Sequence, residues 1–417
     1  MRILMTNWVY LPEFSGAALQ CHRLSKALQR QGVQVNVLTG THERAMAGTD
    51  RIDNIPVHRV LRDVSSLRGQ IRYFRVIQSF IRQHHHLFDI IHTHGFHPRV
   101  NLVVSKYEKP IIQKITALGL DDPVAVQSRP LGALKSRLQR QAKAIVPTSE
   151  ILESRCKQGN VPPHCVVPIP NGVETDVFHP VSAAEKAKLR QNLDIPGDKI
   201  VLLMVGSVTF RKGLDMLIQA LYGLNSTIKK KIKVLIVGPT INQHSLGQFD
   251  YEFFDYTQRM KLLIGDLGLK DMIEFRGRKR NVNEYMQAAD IFVHPSRNEG
   301  QPGALLEAMA VGMPVLVNLL PGITDEIVQA GRYGYLVNCT DIPVFTAALR
   351  VLIKNNNLRR RLGEQARRRI CERYDMDVIA GKYITLYSQL INHQSDQRSE
   401  PEKLIKGHFK NDKSALL

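Results

Sequence analysis

Two glutamates eight positions apart, Glu299 and Glu307, flank a helix start in the run ADIFVHPSRNEGQPGALLEAMAVGMPVLV, residues 289–317. A carboxylate accepts hydrogen bonds from hydroxyl groups. A helix N-terminus has unpaired N–H groups and a positive dipole end, and it attracts phosphate. The two together suit a ligand that carries both hydroxyls and phosphates, which describes a nucleotide-sugar. The local pattern supplies the helix. Residues 291–293 are an apolar run suited to a buried parallel strand, Pro302 and Gly303 mark the start of a helix over 304–310, and Gly312 with Pro314 stops it before a strand at 315–317. The helix N-terminus then presents Gly303, Ala304 and Leu305 to a ligand, with Glu299 in the preceding loop and Glu307 about one turn inside.

Other residues have the right chemistry and position. Arg211 and Lys212 follow an apolar run ending at Val205, in VGSVTFRKGLDMLIQAL, and precede Gly213. A loop at the carboxyl end of a parallel strand is where α/β proteins bind ligands. Gly16, in EFSGAALQ, lies between the first strand and first helix, where a glycine lets the backbone approach a phosphate or an acceptor; a simple tight turn is the other reading. His94 closes DIIHTH, past a buried strand, while His84, His85 and His86 lie on a polar stretch. No H-E-x-x-H or matching acidic pattern makes these histidines a metal site.

The elements that must position these residues alternate strand and helix. In the first half, strands are predicted at 2–6, 33–39, 57–60, 90–92, 111–115 and 144–147, with a helix over 17–31. The second half restarts the pattern with strands at 200–205, 234–237 and 273–275 and a helix over 214–221. Such alternation gives doubly wound parallel sheets. Two Rossmann-like halves with a ligand cleft between them follow. A polar stretch at 175–198, punctuated by Pro180, Pro196 and Gly197, marks the boundary. The expected domains are therefore 1–180 and 181–377. A last helix at about 378–393 precedes residues 394–417, which lack periodicity and read as a disordered tail.

The E-x7-E pattern with its EAMA helix resembles the donor-site signature of retaining glycosyltransferases of the two-Rossmann GT-B fold, and most closely the group-1, GT4-like family. The resemblance extends over nearly the whole chain and implies specific roles. Lys212 matches the lysine of the family's K-G motif, which contacts the donor diphosphate. Arg211 stands in for an arginine that many relatives carry directly after the strand glycine, where this chain has Gly206 and Ser207. His94 matches a histidine that faces the transferred sugar. FRGRKRNVNEYMQAAD, residues 275–290, resembles the base-binding loop, with Gly277 and Arg278 presenting backbone groups to the nucleobase. PNGVETDVF, residues 170–178, resembles the family's hinge segment and is read as structural. Glu299 would orient sugar hydroxyls and Glu307 accept from the ribose. The implied reaction retains anomeric configuration with a UDP- or GDP-sugar donor, no cofactor and no metal, and an acceptor that is a glycan, a lipid-linked sugar or a small molecule. A double displacement through a carboxylate nucleophile stays open. A non-catalytic sugar-nucleotide-binding homologue or subunit is the alternative function.

Composition narrows the partners. The formal net charge of +19, carried by both halves, would attract anionic membrane, anionic substrate or nucleic acid. No helix-turn-helix, zinc or aromatic RNA-binding signature supports nucleic acid, and no G-x-G-x-x-G follows the first strand to support a dinucleotide oxidoreductase. Five scattered cysteines without a C-x-x-C pair fit unpaired thiols in a reducing compartment. The N-terminus reads as strand and loop, not as a signal peptide, and no run approaches the ~20 apolar residues of a membrane span. The expectation is a cytoplasmic protein, peripheral at the inner membrane face if RGQIRYFRVIQSFIR, residues 68–82, is a basic amphipathic helix on anionic lipid. The competing reading packs that helix on the sheet by its single apolar stripe.

Overall fold

The computed structural model describes residues 1–13, 15–63, 66–240 and 248–408, with side chains except at 248–254 and 394–408. The chain divides into two compact units. The first takes Met1–Pro147, Arg155–Ile169 and the chain from Ile379; the second takes Thr148–Ser154 and Pro170–Val378.

The first unit is built on a seven-stranded sheet of order β3-β4-β2-β1-β5-β6-β7. Its strands are β1 (Arg2–Asn7), β2 (Gln34–Thr41), β3 (Gly48–Ile52), β4 (Ile55–Leu61), β5 (Ile90–His94), β6 (Ile111–Lys114) and β7 (Ala144–Val146). All neighbours are parallel except β3 and β4. The central strands are buried along nearly their whole length, as strands covered on both faces require. The edge strand β3 escaped the sequence reading because GTDRI carries no apolar alternation and almost all of it is exposed. It is a hairpin partner, turned by Asp53 and Asn54, which both take positive φ (48° and 64°).

The second unit is an all-parallel sheet of order β10-β9-β8-β11-β12-β13. These strands are β8 (Ile200–Val205), β9 (Ile232–Val237), β10 (Ile273–Gly277), β11 (Ile291–His294), β12 (Val315–Asn318) and β13 (Tyr335–Val337). Residues 170–180 belong here and not, as the polar boundary suggested, to the first unit. Val173 and Phe178 are buried in the second unit's core. Arg367 fixes the segment by donating to the carbonyls of Phe178 at 2.7 Å and Thr175 at 3.1 Å.

The last helix, Met376–His408, runs on through 394–408, part of the stretch read as a tail; residues 409–417 lie outside the described residues. Its Tyr383 and Tyr387 are fully buried in the first unit, and Tyr387 Oη meets His92 Nδ1 at 2.7 Å. Among the described residues no helix is long and apolar enough to cross a membrane.

Tyr387→Phe removes that bond and leaves a buried imidazole nitrogen unpaired. It should cost about 1–3 kcal/mol of stability, read as a lower urea midpoint with unchanged slope.

Candidate functional site

The carboxyl edge of the second unit's sheet is lined with glycine. β8 ends into Gly206, β9 into Gly238 and β10 at Gly277, with φ of 144°, 153° and 66°. A Cβ on Gly238 would stand 1.9 Å from the Gly206 carbonyl oxygen. The Gly238 N–H donates to Gly277 O at 2.9 Å. Three strand ends are thereby drawn together as backbone without side chains.

After β8 the chain makes a short 3-10 turn, Phe210–Lys212, that ends at Gly213 with φ of 74°. A Cβ on Gly213 would lie 2.1 Å from Pro295 O. The turn is thus pressed against the loop that leaves β11. Arg297, in that loop, binds Asp215 through two bonds of 2.8 and 2.6 Å and covers the Phe210 ring at 3.9 Å. Its N–H donates to Arg211 O at 2.7 Å.

This clamp brings four side chains onto the Glu299 carboxylate. Lys212 Nζ lies 2.5 Å from Oε1, Ser296 Oγ donates to Oε1 at 2.7 Å, and Arg211 NH1 lies 3.0 Å from Oε2. His294, the last residue of β11, places Nε2 3.3 Å from Oε1, outside hydrogen-bond alignment. Glu299 is only 9% exposed. Burial alone would push its carboxyl up, but Lys212, His294 and Arg211 outweigh burial and hold it well below the usual carboxylate range. Burial pulls Lys212 and His294 down. Glu299 is therefore ionised, with Lys212 and Arg211 as its cations.

Three residues on, the helix Gly303–Ala310 begins behind Pro302. Leu305 is a core residue with no exposed side chain, and its N–H closes on Pro302 O at 3.2 Å. The N–H groups of Gly303 and Ala304 are in the first turn, where a helix supplies no acceptor of its own. Glu307 is buried one turn along. Gln301 anchors the 170–178 segment, its side-chain carbonyl accepting the Asn171 N–H. Arg278 is exposed beyond Gly277.

Glu299, Lys212 and Arg211 are therefore in direct contact, and Gly303, Ala304, Leu305, Glu307, Gly277 and Arg278 belong to the same unit. Gly16 and His94 lie in the first unit. Gly16 opens the helix Gly16–Arg30, capped by Ser15, and a Cβ there would meet nothing within 4 Å. Internal packing does not require that glycine. His94 ends β5, 1% exposed, with neither ring nitrogen hydrogen-bonded. Burial pushes its pKa well below the ordinary histidine value, so it is neutral. The sequence reading missed His294, Ser296 and the Arg297–Asp215 clamp. The strand-end rule that selected Lys212 applies equally to the H-P-S after β11. Among the described residues no three His, Cys, Asp or Glu side chains are grouped to hold a metal ion.

Gly213→Ala should therefore destabilise by at least ~2 kcal/mol, from left-handed backbone strain and the collision with Pro295. Thermal unfolding measures it, and the Lys212–Glu299 contact should loosen with it.

Comparison with known proteins agrees with this architecture. Residues 15–172 match the glycosyl transferase 4-like domain and residues 185–369 match glycosyl transferases group 1. The chain is 24% identical over 393 residues to a D-inositol 3-phosphate glycosyltransferase of Xylanimonas cellulosilytica, covering 88% of this chain and 89% of that one. It is 24% identical to the Escherichia coli UDP-Gal:alpha-D-GlcNAc-diphosphoundecaprenol alpha-1,3-galactosyltransferase, covering 73% and 76%. Among solved structures, the Anabaena protein HepE in complex with UDP superposes with a TM-score of 0.75 at 18% identity, covering 93% of this chain and all of that one. A sucrose-phosphate synthase of Thermosynechococcus elongatus gives 0.75 at 21% identity, covering 94% and 99%.

Proposed function

Because the chain belongs to the group-1, GT4-like glycosyltransferases and has their GT-B fold, we propose that it is a retaining enzyme. It moves a sugar from a UDP- or GDP-sugar to a glycan, lipid-linked or small-molecule acceptor, without a cofactor. The observation that carries this reading is the Glu299–Lys212–Arg211 cluster beside the first-turn N–H groups of Gly303 and Ala304. In the unliganded protein Glu299 is the anion that keeps the two cations in place. The donor diphosphate carries more charge and takes them over, aided by the helix N-terminus. Glu299 is then released to accept from sugar hydroxyls, while Glu307 takes the ribose and the Gly277–Arg278 strand end takes the base. We assign the acceptor to the first unit, with His94 as the contact to the transferred sugar.

The acceptor oxygen forms a bond to the anomeric carbon on the face from which the diphosphate leaves. The bond to the phosphate oxygen breaks with its electron pair passing to the diphosphate, which Lys212 and Arg211 stabilise. The acceptor's proton goes to a phosphate oxygen. The related proteins named above support nucleotide-sugar donors and glycan or lipid-linked acceptors. The chemistry in the site argues against a non-catalytic homologue, since the cationic pair and both carboxylates are present.

Glu307→Ala should weaken nucleotide-sugar binding and Glu299→Ala should chiefly reduce turnover, each by about 1.5–3 kcal/mol of lost charged hydrogen bonding. Lys212→Ala should be more damaging than Arg211→Ala, because the Lys212 side chain is 12% exposed against 47%. Calorimetric UDP binding and donor turnover in folded variants measure these effects. Unchanged binding and turnover in all four would remove the donor-site assignment.

We further read the helix Leu67–His84 as a membrane-surface element, peripheral at the cytoplasmic face. Tyr73, Ile77 and Ile81 are buried, so the sheet takes one stripe. The other face keeps Arg68, Ile71, Arg72, Arg75 and Val76 around a surface pocket of about 520 Å³ with Ser79. The neighbouring Leu67 is 74% exposed. Basic side chains around apolar ones suit anionic lipid. Replacing Arg68, Arg72 and Arg75 by glutamine should cost about 1 kcal/mol each in binding to anionic vesicles, with UDP binding intact. Co-sedimentation at two ionic strengths decides it, and a parent protein without salt-sensitive binding refutes the membrane reading.

A further inference from the structure

His294 lies against the Glu299 carboxylate without bonding to it. It closes β11 with its side chain only 2% exposed, and Nε2 stands 3.3 Å from Oε1. That nitrogen is nevertheless buried without an aligned hydrogen bond. The bonds that the carboxylate does make come from Ser296 and Lys212 on Oε1, with Arg211 on Oε2. A titratable ring is therefore held in contact range of the site's central anion, and the cations leave it nothing to do.

The charges around the ring decide its protonation. Facing it are Lys212 and Arg211, from the turn after β8, and Glu299, from its own loop. Burial chiefly, with the two cations, outweighs the pull of Glu299 and holds the imidazole below the ordinary histidine pKa, so the ring is neutral. On the donor reading this balance reverses when the ligand arrives. A nucleoside diphosphate ester carries a charge on each phosphate, so the sum around the ring turns from positive to negative. Lys212 and Arg211 turn to the phosphates, and Glu299 is left a buried carboxylate with Ser296 as its neutral donor. So little compensation for a buried charge is costly. The group in contact range that can become a cation is His294.

We propose that His294 takes up a proton when the donor binds and, as imidazolium, donates from Nε2 to Glu299 in place of the departed cations. The proton comes from solvent, and the ring then carries a proton on each nitrogen. The inference rests on the donor reading and adds a positioning residue to it. The carboxylate stays aimed at the sugar while Lys212 and Arg211 serve the diphosphate. Binding that takes up a proton weakens as pH rises, by up to about tenfold per unit for one proton.

Calorimetry reads the proton directly. The full-length parent, His294→Gln, His294→Asn and Glu299→Gln are titrated with UDP and with GDP near neutral pH, in two buffers of different ionisation heat. Proton uptake appears as a binding heat that depends on the buffer. Glutamine at 294 still offers an N–H donor but cannot titrate, and asparagine is the second non-titrating variant. The nucleotide's own terminal phosphate, with a second pKa of about 6, loses its remaining proton alike with every protein and cancels in the comparison. The parent should take up at least about half a proton more per nucleotide than each variant, and above neutrality its affinity should fall more steeply with pH. Equal proton counts in the parent and the His294 variants overturn the proposal, because the proton then resides on Glu299 or Lys212. A parent affinity that does not fall as pH rises above neutrality overturns it without recourse to any variant. Binding of a nucleotide without the excess proton sinks this proposal alone. If neither nucleotide binds, the donor reading falls and the proposal falls with it.

Discussion

A carboxylate removed from water stays ionised only where cations replace the solvent, and Glu299 meets that condition through Lys212 and Arg211. Much of the second unit serves this contact. The Lys212 turn lies against the loop after β11 because Gly213 offers no side chain to Pro295. Arg297 and Asp215 lock the two loops from the other side. Without the clamp, two cations would spread over the surface, and each exposed pair would contribute little. Confined around a buried carboxylate, they are oriented before any ligand arrives, which is what electrostatic catalysis requires.

The same edge shows why backbone matters as much as charge there. Gly206, Gly238 and Gly277 close the ends of three strands with φ values that ordinary residues avoid. A side chain at Gly238 would run into the neighbouring strand end. The two sheets therefore present different edges. One is glycine backbone beside a compensated ion cluster. The other carries Trp8 and His97 stacked at 4.6 Å, with the Glu13 carboxylate accepting from Thr41 and that of Asp121 from Thr116 and Ala117.

Most of the frame was legible in the sequence because parallel strands announce themselves. Residues 200–205 are an unbroken apolar run, and the helix Gly303–Ala310 is delimited by Pro302 and Gly312. Glu299 and Glu307 could be placed relative to that helix for the same reason. Contacts between distant segments were not legible. Nothing local tells that Lys212 meets Glu299, 87 positions away, or that Phe178 is core of the second unit. The edge strand Gly48–Ile52 has no burial to imprint a pattern. The three-residue strand Tyr335–Val337 is too short and too half-buried to show one. His294 was passed over since a histidine next to proline carries no spacing signal; only its place at the end of β11 reveals it.

The first unit is not continuous in sequence. Its fully buried Tyr383 and Tyr387 come from beyond the second unit, which is complete once residue 378 has been made. On the ribosome, where domains fold as units while the chain emerges, the order is thus inverted. The first unit to begin is the last to have all of its chain. Until the C-terminal helix is synthesised, the sheet surface around His92 waits without its cover, and the nascent chain carries that face bare through the production of the whole second unit.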